Sequence, residues 1–126
     1  MLATIHTDKA PQAIGPYSQA VKCNGLVFVS GQIPINPATG ELLAGTAGEK
    51  TRLVMENIGR ILEEAGTSFD KVVKTTIYLT DLNEFDEVNK IYGEFFSSHK
   101  PARATVQVAR LPKDVSVEID AIASLE

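Results

Sequence analysis

The chain has 126 residues, of which 44% are hydrophobic and 22% charged, a length and composition typical of one globular domain spanning residues 1–126. Its net charge is −4, and an acidic chain without a basic cluster lacks the electrostatic footprint of a general nucleic-acid-binding protein. No apolar run approaches the ~18 residues of a membrane span, and the N-terminus lacks the apolar segment of a signal peptide, so we expect a cytoplasmic protein with no membrane partner.

The first part of the chain predicts a short edge strand and then a β-hairpin. Residues 4–6 can form the edge strand. Two β-prone runs, residues 17–22 and 26–32, flank Asn24-Gly25, which is among the strongest hairpin signals because both residues tolerate positive φ. The prolines and glycines of residues 33–45 then predict a loop.

Two helices with a strand between them follow this loop. Thr46 and Glu49 have the spacing of a capping box, and the helix that they begin should end at Gly66. Residues 73–80 alternate apolar and polar side chains, which predicts a strand. Asp81 or Asn83 can cap the second helix. The apolar positions recur at helical spacing in both helices: Val54, Ile58, Ile61 and Ala65 in the first, and Phe85, Val88, Tyr92, Phe95 and Phe96 in the second.

The end of the chain carries the residues that we consider most informative. Pro101 ends the second helix, and alternating patterns then predict two strands, residues 103–108 and 115–121. Arg103 begins the first of them, and its planar guanidinium suits a carboxylate ligand. Glu118 lies between two β-branched residues of the second, where a carboxylate must be paired, lie at an edge or face a cavity. The alternatives are an ordinary salt bridge for Arg103 and an interface partner of a lysine or arginine for Glu118.

The order of these elements predicts an α+β domain, a mixed or antiparallel sheet with two helices on one face. The other sheet face would combine the apolar run at residues 26–29 with several polar side chains: Thr76, Tyr78, Thr105, Gln107, Ser116, Glu118 and Asp120. That mixture is too apolar for open water and too polar for a sealed core. It therefore predicts a subunit interface in a homo-oligomer, with ligand clefts between the subunits.

A few further residues carry weaker signals. Tyr17 could wall a small pocket, although a tyrosine at the start of a strand is more often a packing residue. Ser30 could bond a ligand oxygen or simply cap the strand end. Gly31 lets a ligand approach the backbone closely. The single cysteine, Cys23, excludes a disulfide within the chain and is interpreted as an inert thiol. Without a second cysteine or a His-rich tract we expect no zinc site.

Several separated motifs resemble the RidA family of reactive-intermediate (imine) deaminases, and the resemblance runs essentially from end to end. The C-terminal signature is similar in Pro101-Ala102-Arg103-Ala104 and in Val117-Glu118-Ile119, with Val106 and Leu111 between them. Other stretches also match: residues 13–18, 30–34 and 73–76, and the region of Asn89.

The resemblance implies a chorismate-mutase-like α+β fold and a homotrimer with three clefts between its subunits. It also implies hydrolysis of 2-imino acids, such as 2-iminobutanoate and 2-iminopropanoate, to 2-oxo acids and ammonia without a cofactor. By the same resemblance Arg103 clamps the substrate carboxylate and Glu118 positions or activates water. The cleft would be lined by Tyr17, Ser30, Gly31, Asn89 and the backbone at Thr105. Many relatives have a cysteine where this chain has Thr105, so a mechanism that needs that thiol is excluded here.

Two other functions compete with this hypothesis. One is a trimeric module that binds small carboxylates without turning them over; both functions use Arg103, but only the enzyme needs an ordered water near Glu118. The other is an endoribonuclease, against which the acidic charge and the absence of a basic stripe argue.

Overall fold

The computed structural model describes residues 2–126, which form one six-stranded mixed sheet and two α-helices. The strands are β1 (Ala3–Ile5), β2 (Ala20–Cys23), β3 (Leu26–Gln32), β4 (Val72–Leu79), β5 (Ala102–Gln107) and β6 (Val117–Ser124), and the helices are α1 (Ala47–Ala65) and α2 (Phe85–Gly93). The sheet order is β1-β2-β3-β6-β4-β5, in which only β4 and β5 are parallel. The α+β architecture predicted from the order of elements is confirmed.

Local signals in the sequence account for the ends of α1. The Thr46 hydroxyl accepts a hydrogen bond from the Glu49 amide at 3.1 Å, and the Glu49 carboxylate accepts one from the Thr46 amide at 2.8 Å. Gly66 ends the helix with φ 90°, in the left-handed region that glycine tolerates best. The predicted apolar stripe is buried in the core: Val54, Ile58, Ile61 and Ala65.

The strand ends differ from the prediction where backbone turns intervene. Asn24 and Gly25 form the hairpin turn with φ 52° and 77°, as predicted, but β2 begins at Ala20 rather than at residue 17. The cause is a turn in which the Tyr17 amide donates to the Gly15 carbonyl at 2.9 Å. Similarly, β6 begins at residue 117 rather than 115, because a turn of 3₁₀ type at Pro112–Asp114 precedes it.

The second helix is shorter than its apolar pattern. It ends at Gly93, so Phe95 and Phe96 lie just beyond it, although both still pack against the core. The Asp81 carboxylate accepts from the Asn83 amide at 2.9 Å. It therefore caps the 3₁₀ turn that precedes α2, and not α2 itself.

The two faces of the sheet separate the candidate residues. The helices cover one face, and on the other Phe28 is 43% exposed and Val106 41%. The prediction that Thr105 and Gln107 lie on this open face is wrong. β5 adds in parallel to β4 at the sheet edge, and this register pairs the two residues with the buried Ile77 and Leu79, on the helix side. Ser116, also predicted there, lies outside β6.

Candidate functional site

Four of the predicted residues line one cavity of about 490 Å³, which we call the Glu118 cavity: Tyr17, Ser30, Gly31 and Glu118. The cavity lies where the end of β3 meets the N-terminal segment and the turn at residues 112–114. Its wall is largely apolar and includes Pro11, Ile14, Ile33 and Pro112. This is the environment in which a small ligand can be separated from bulk water.

Ser30 fixes the segment that carries Tyr17. Its hydroxyl donates to the Ser18 carbonyl at 2.6 Å, and its amide donates to the Gln19 carbonyl at 2.9 Å. The hydroxyl proton is therefore engaged, and a ligand can meet only the lone pairs of this oxygen. Tyr17 itself is 53% exposed at the mouth of the cavity.

Gly31 lies directly against Glu118. The pairing of β3 with β6 shifts register between Val29 and Gln32, and the shift brings the Gly31 backbone under the carboxylate. A Cβ atom at position 31 would lie 2.0 Å from Oε2 of Glu118 and 2.9 Å from its Cδ. Only glycine leaves room for the carboxylate in this position.

The Glu118 carboxylate is partly buried and accepts no hydrogen bond from any of residues 2–126. Burial raises its pKa above the usual value, and the charge of Asp120 raises it further. Asp120 is itself engaged, because the Tyr78 hydroxyl donates to its carboxylate at 3.0 Å. A carboxylate with a raised pKa is a stronger base once it is ionised, which suits the role of a proton acceptor.

Arg103 and Asn89 line a second cavity of about 460 Å³, which we call the Arg103 cavity. Nη1 of Arg103 donates to Oδ1 of Asn89 at 2.7 Å. Its Cζ atom lies 5.1 Å from the ring centre of Tyr92 and 5.4 Å from that of Phe85. Within residues 2–126 no carboxylate lies within 4.0 Å of the guanidinium, so an ion pair inside this part of the chain does not account for Arg103.

Thr105 follows Arg103 on the same face of β5. Its hydroxyl oxygen is buried and has no hydrogen-bond partner among the described residues. A buried hydroxyl without a partner costs free energy, so this position is unusual among the buried polar side chains of residues 2–126.

The two cavities lie on opposite faces of the sheet. Arg103 is paired with Thr75, which is buried beneath α2 and bonded to Tyr92. Glu118 is paired with Tyr78, and its neighbours Val117 and Ile119 point into the core. Because successive strand residues point to opposite faces, Glu118 points away from the helices while Arg103 points toward them. Within residues 2–126 these two side chains are therefore not brought together.

Some residues at the two cavities carry no functional signal in the sequence. Pro112 and Lys113 line the Glu118 cavity, where Lys113 has the unusual φ of 56°. The helical pattern assigns Tyr92 and Phe85 to an apolar face only, because periodicity does not reveal that α2 packs on Arg103.

Among residues 2–126 no cluster of three or more histidine, cysteine or acidic side chains could hold a metal ion. None of the helices described is long and apolar enough to cross a membrane.

Comparison with known proteins identifies similar chains along nearly the whole length. The family model described as Endoribonuclease L-PSP matches residues 7–125. A RutC family protein of Pyrococcus abyssi is 57% identical over 122 residues, covering 97% of this chain and 96% of the relative. The human 2-iminobutanoate/2-iminopropanoate deaminase is 50% identical over 119 residues, covering 94% and 87%.

Solved structures agree with the fold. A putative endoribonuclease from Thermotoga maritima superposes with a TM-score of 0.96 at 53% identity, covering 98% of both chains. E. coli TdcF, whose structure contains bound serine, superposes with a TM-score of 0.92 at 48% identity, covering 97% of this chain and 98% of its own.

Proposed function

The chain belongs to the Endoribonuclease L-PSP family, which includes a human 2-iminobutanoate/2-iminopropanoate deaminase, and from this premise we propose that it hydrolyses 2-imino acids to 2-oxo acids and ammonia. The reaction takes place without a cofactor, in clefts between the subunits of a homotrimer. In each cleft the Arg103 cavity of one subunit faces the Glu118 cavity of its neighbour.

One observation carries the proposal. In each subunit Arg103 is a cation without an anionic partner, and Glu118 is a base without a hydrogen-bond donor. The two residues line two cavities on opposite faces of one sheet. A site divided in this way is complete only when a second copy supplies the missing half. The exposed apolar side chains of the open face, with Phe28 and Val106 among them, favour such an assembly because burying them releases water.

The substrate carboxylate binds Arg103. The guanidinium offers donors in a fixed plane, and Asn89 holds one of its nitrogen atoms, so the carboxylate is held in a defined orientation. That orientation directs the imine carbon toward the Glu118 cavity. Because a small imino acid has only one permanent negative charge, this contact supplies most of the orientation.

Glu118 acts on the water. The protonated imine carbon is electrophilic, and a water molecule attacks it as the carboxylate accepts one of the water protons. Protonated Glu118 then donates this proton to the nitrogen of the tetrahedral carbinolamine, and the C–N bond breaks. The hydroxyl proton passes to the departing ammonia as the carbonyl forms. The protonated imine and one water thus give the 2-oxo acid and ammonium, and the Glu118 carboxylate is regenerated. Burial raises the pKa of Glu118, which makes the ionised carboxylate a stronger base for the uptake of the proton.

A binding module without turnover is the alternative that an observation favours. The structure of E. coli TdcF contains serine, a small carboxylate, and Arg103 with Asn89 would suffice for such a ligand. An endoribonuclease receives less support, because the chain has a net charge of −4 and the substrate would be a polyanion.

The test is a coupled assay in which a serine or threonine dehydratase generates the imine and the release of the 2-oxo acid is followed over time. We expect the protein to accelerate release and the Arg103→Ala trimer not to do so. Binding of a 2-oxo acid without acceleration would establish the binding module instead.

A further inference from the structure

Two aromatic rings lie beneath the Arg103 guanidinium, and the chemistry described above gives them no role. The Cζ atom lies 5.1 Å from the centre of the Tyr92 ring and 5.4 Å from that of Phe85. Both distances fall within the range of cation–π contacts. We call this pair, Phe85 and Tyr92, the aromatic seat.

Tyr92 is fixed at both ends of its side chain. Its hydroxyl is hydrogen-bonded to the Thr75 hydroxyl at 2.7 Å, and its ring packs on Phe96 at a centroid distance of 4.9 Å. Tyr92 is 5% exposed and Thr75 only 1%. A buried ring held in this way cannot turn without losing a hydrogen bond inside the protein.

The contacts form a closed circuit. Thr75 is the register partner of Arg103 in the sheet, and its hydroxyl is hydrogen-bonded to that of Tyr92. The Tyr92 ring in turn contacts the Arg103 guanidinium. The backbone of β4 therefore positions both the backbone of Arg103 and, through Thr75, the aromatic ring that its guanidinium contacts. Asn89 adds one hydrogen bond at the edge of the guanidinium.

We infer that Tyr92, with Phe85 beside it, is a positioning residue that fixes the plane of the Arg103 guanidinium for the substrate carboxylate. The inference rests on the proposed function, because it assigns the seat to the residue that binds that carboxylate. An exposed arginine side chain without an ion pair would otherwise sample many rotamers. It would become ordered only when the ligand binds, at a cost in conformational entropy. Tyr92 is almost completely buried at the wall of the Arg103 cavity, and its proposed role is exerted through Arg103.

The aromatic seat should support catalysis more strongly with arginine than with lysine at position 103. A guanidinium lying on the rings keeps its fork in one plane, whereas an ammonium has no plane to keep. The advantage of arginine over lysine at position 103 should therefore depend on the rings beneath it. That dependence is a property that a purely structural role of Tyr92 would not produce.

The experiment compares kcat/KM for imine hydrolysis in variants confirmed as trimers by light scattering. We expect Tyr92→Leu to lower kcat/KM about tenfold, as expected for the loss of a cation–π contact, and Tyr92→Phe to lower it less because the ring remains. Phe69→Leu is the matched control. Phe69 belongs to the same aromatic cluster, 5.5 Å from Phe96, but has no contact with Arg103, so we expect it to lower Tm without lowering kcat/KM.

A double-mutant cycle supplies the decisive readout. In the wild-type background Arg103→Lys should lower kcat/KM about 100-fold through lost orientation, and in the Tyr92→Leu background about tenfold or less. Equal losses in both backgrounds would overturn the inference, because Tyr92 would then act independently of the guanidinium. Wild-type activity in Tyr92→Leu would overturn it as well.

A measurement without substrate separates this inference from the proposed function. The side-chain protons of Arg103 should show a ring-current shift by NMR that is reduced in Tyr92→Leu, where only the Phe85 ring remains, and unchanged in Phe69→Leu. If the wild-type protein hydrolyses no imine but the shift follows this pattern, the proposed function fails and the seat stands. If the shift is absent from the wild-type protein, the seat is refuted whatever the activity.

Discussion

Replacing Gly31 by alanine tests the position of Glu118 with a single methyl group. The backbone at residue 31 is outside the left-handed region, so alanine is compatible with it, but its Cβ atom would lie 2.0 Å from Oε2 of Glu118. Ordinary contact begins at 3.4 Å, so this oxygen must retreat by about 1.4 Å. Misplacement of a reacting group by ~1 Å can lower the rate about 100-fold, and we expect a fall in kcat of this size.

The stability of Gly31→Ala should change little. The obstructing atoms belong to the end of a flexible side chain beside a cavity, so the carboxylate can move aside, and we expect a cost at the lower end of the ~1–3 kcal/mol that overpacking costs. Urea unfolding gives this value, and kcat comes from the coupled assay with purified protein.

Gly59→Ala provides the matched control. Its Cβ would lie 2.9 Å from the ring of Phe69, which is packed among other aromatic rings and cannot yield as easily. We expect this variant to lose about 1–3 kcal/mol of stability while keeping its kcat. If Gly31→Ala keeps its kcat within about threefold, the observed position of Glu118 is unimportant and the reasoning is refuted.

Three further substitutions test other parts of the account. Arg103→Ala should weaken both 2-oxo acid binding, measured by calorimetry, and imine hydrolysis by about 2–5 kcal/mol, as is usual when one partner of a charged pair is truncated; unchanged binding would show that the carboxylate is held elsewhere. Glu118→Gln should lower kcat by at least ~100-fold because the proton acceptor is lost, with binding retained, and undiminished turnover would place the base elsewhere. Burial raises the pKa of Glu118 above the ordinary value of 4.5, so the folded state favours the protonated carboxyl. The contribution of Glu118 to the free energy of unfolding is therefore complete below pH 4.5 and is lost as pH rises through the raised pKa. Glu118→Gln should therefore be more stable than the wild-type protein at pH values above the raised pKa and equally stable at acid pH, and a Tm difference that does not change with pH would contradict the shift. Cys23→Ser should keep activity within about twofold, because the thiol lies outside both cavities.

Local chemistry in the sequence predicts much of the fold. The capping box at Thr46, the hairpin turn at Asn24 and the helix end at Gly66 are all decided by residues close together in the chain, and the structure confirms each of them. Alternation likewise identifies which residues of one strand share a face. These signals depend on short-range geometry, which the sequence records directly.

Short-range patterns do not reveal which strands pair with each other in the sheet. Alternation assigns Thr105 to one of two faces but does not say which, because the choice depends on β5 adding in parallel to β4 with β6 on the other side of β4. The contact between Gly31 and Glu118 likewise depends on a register shift in a pairing of distant segments. For the same reason the sequence singles out Arg103 and Glu118 as residues but does not reveal that they occupy opposite faces.

Mixed trimers test directly whether each active cleft takes Arg103 from one subunit and Glu118 from another. Arg103→Ala and Glu118→Gln are each expected to be inactive alone. When the two variants are unfolded together in equal amounts and refolded as mixed trimers, about a quarter of the clefts should contain both native side chains, because the two contributing subunits are chosen independently. We predict recovery of about a quarter of the wild-type activity on this basis. Mixed trimers that remain as inactive as the separate variants would contradict the shared cleft.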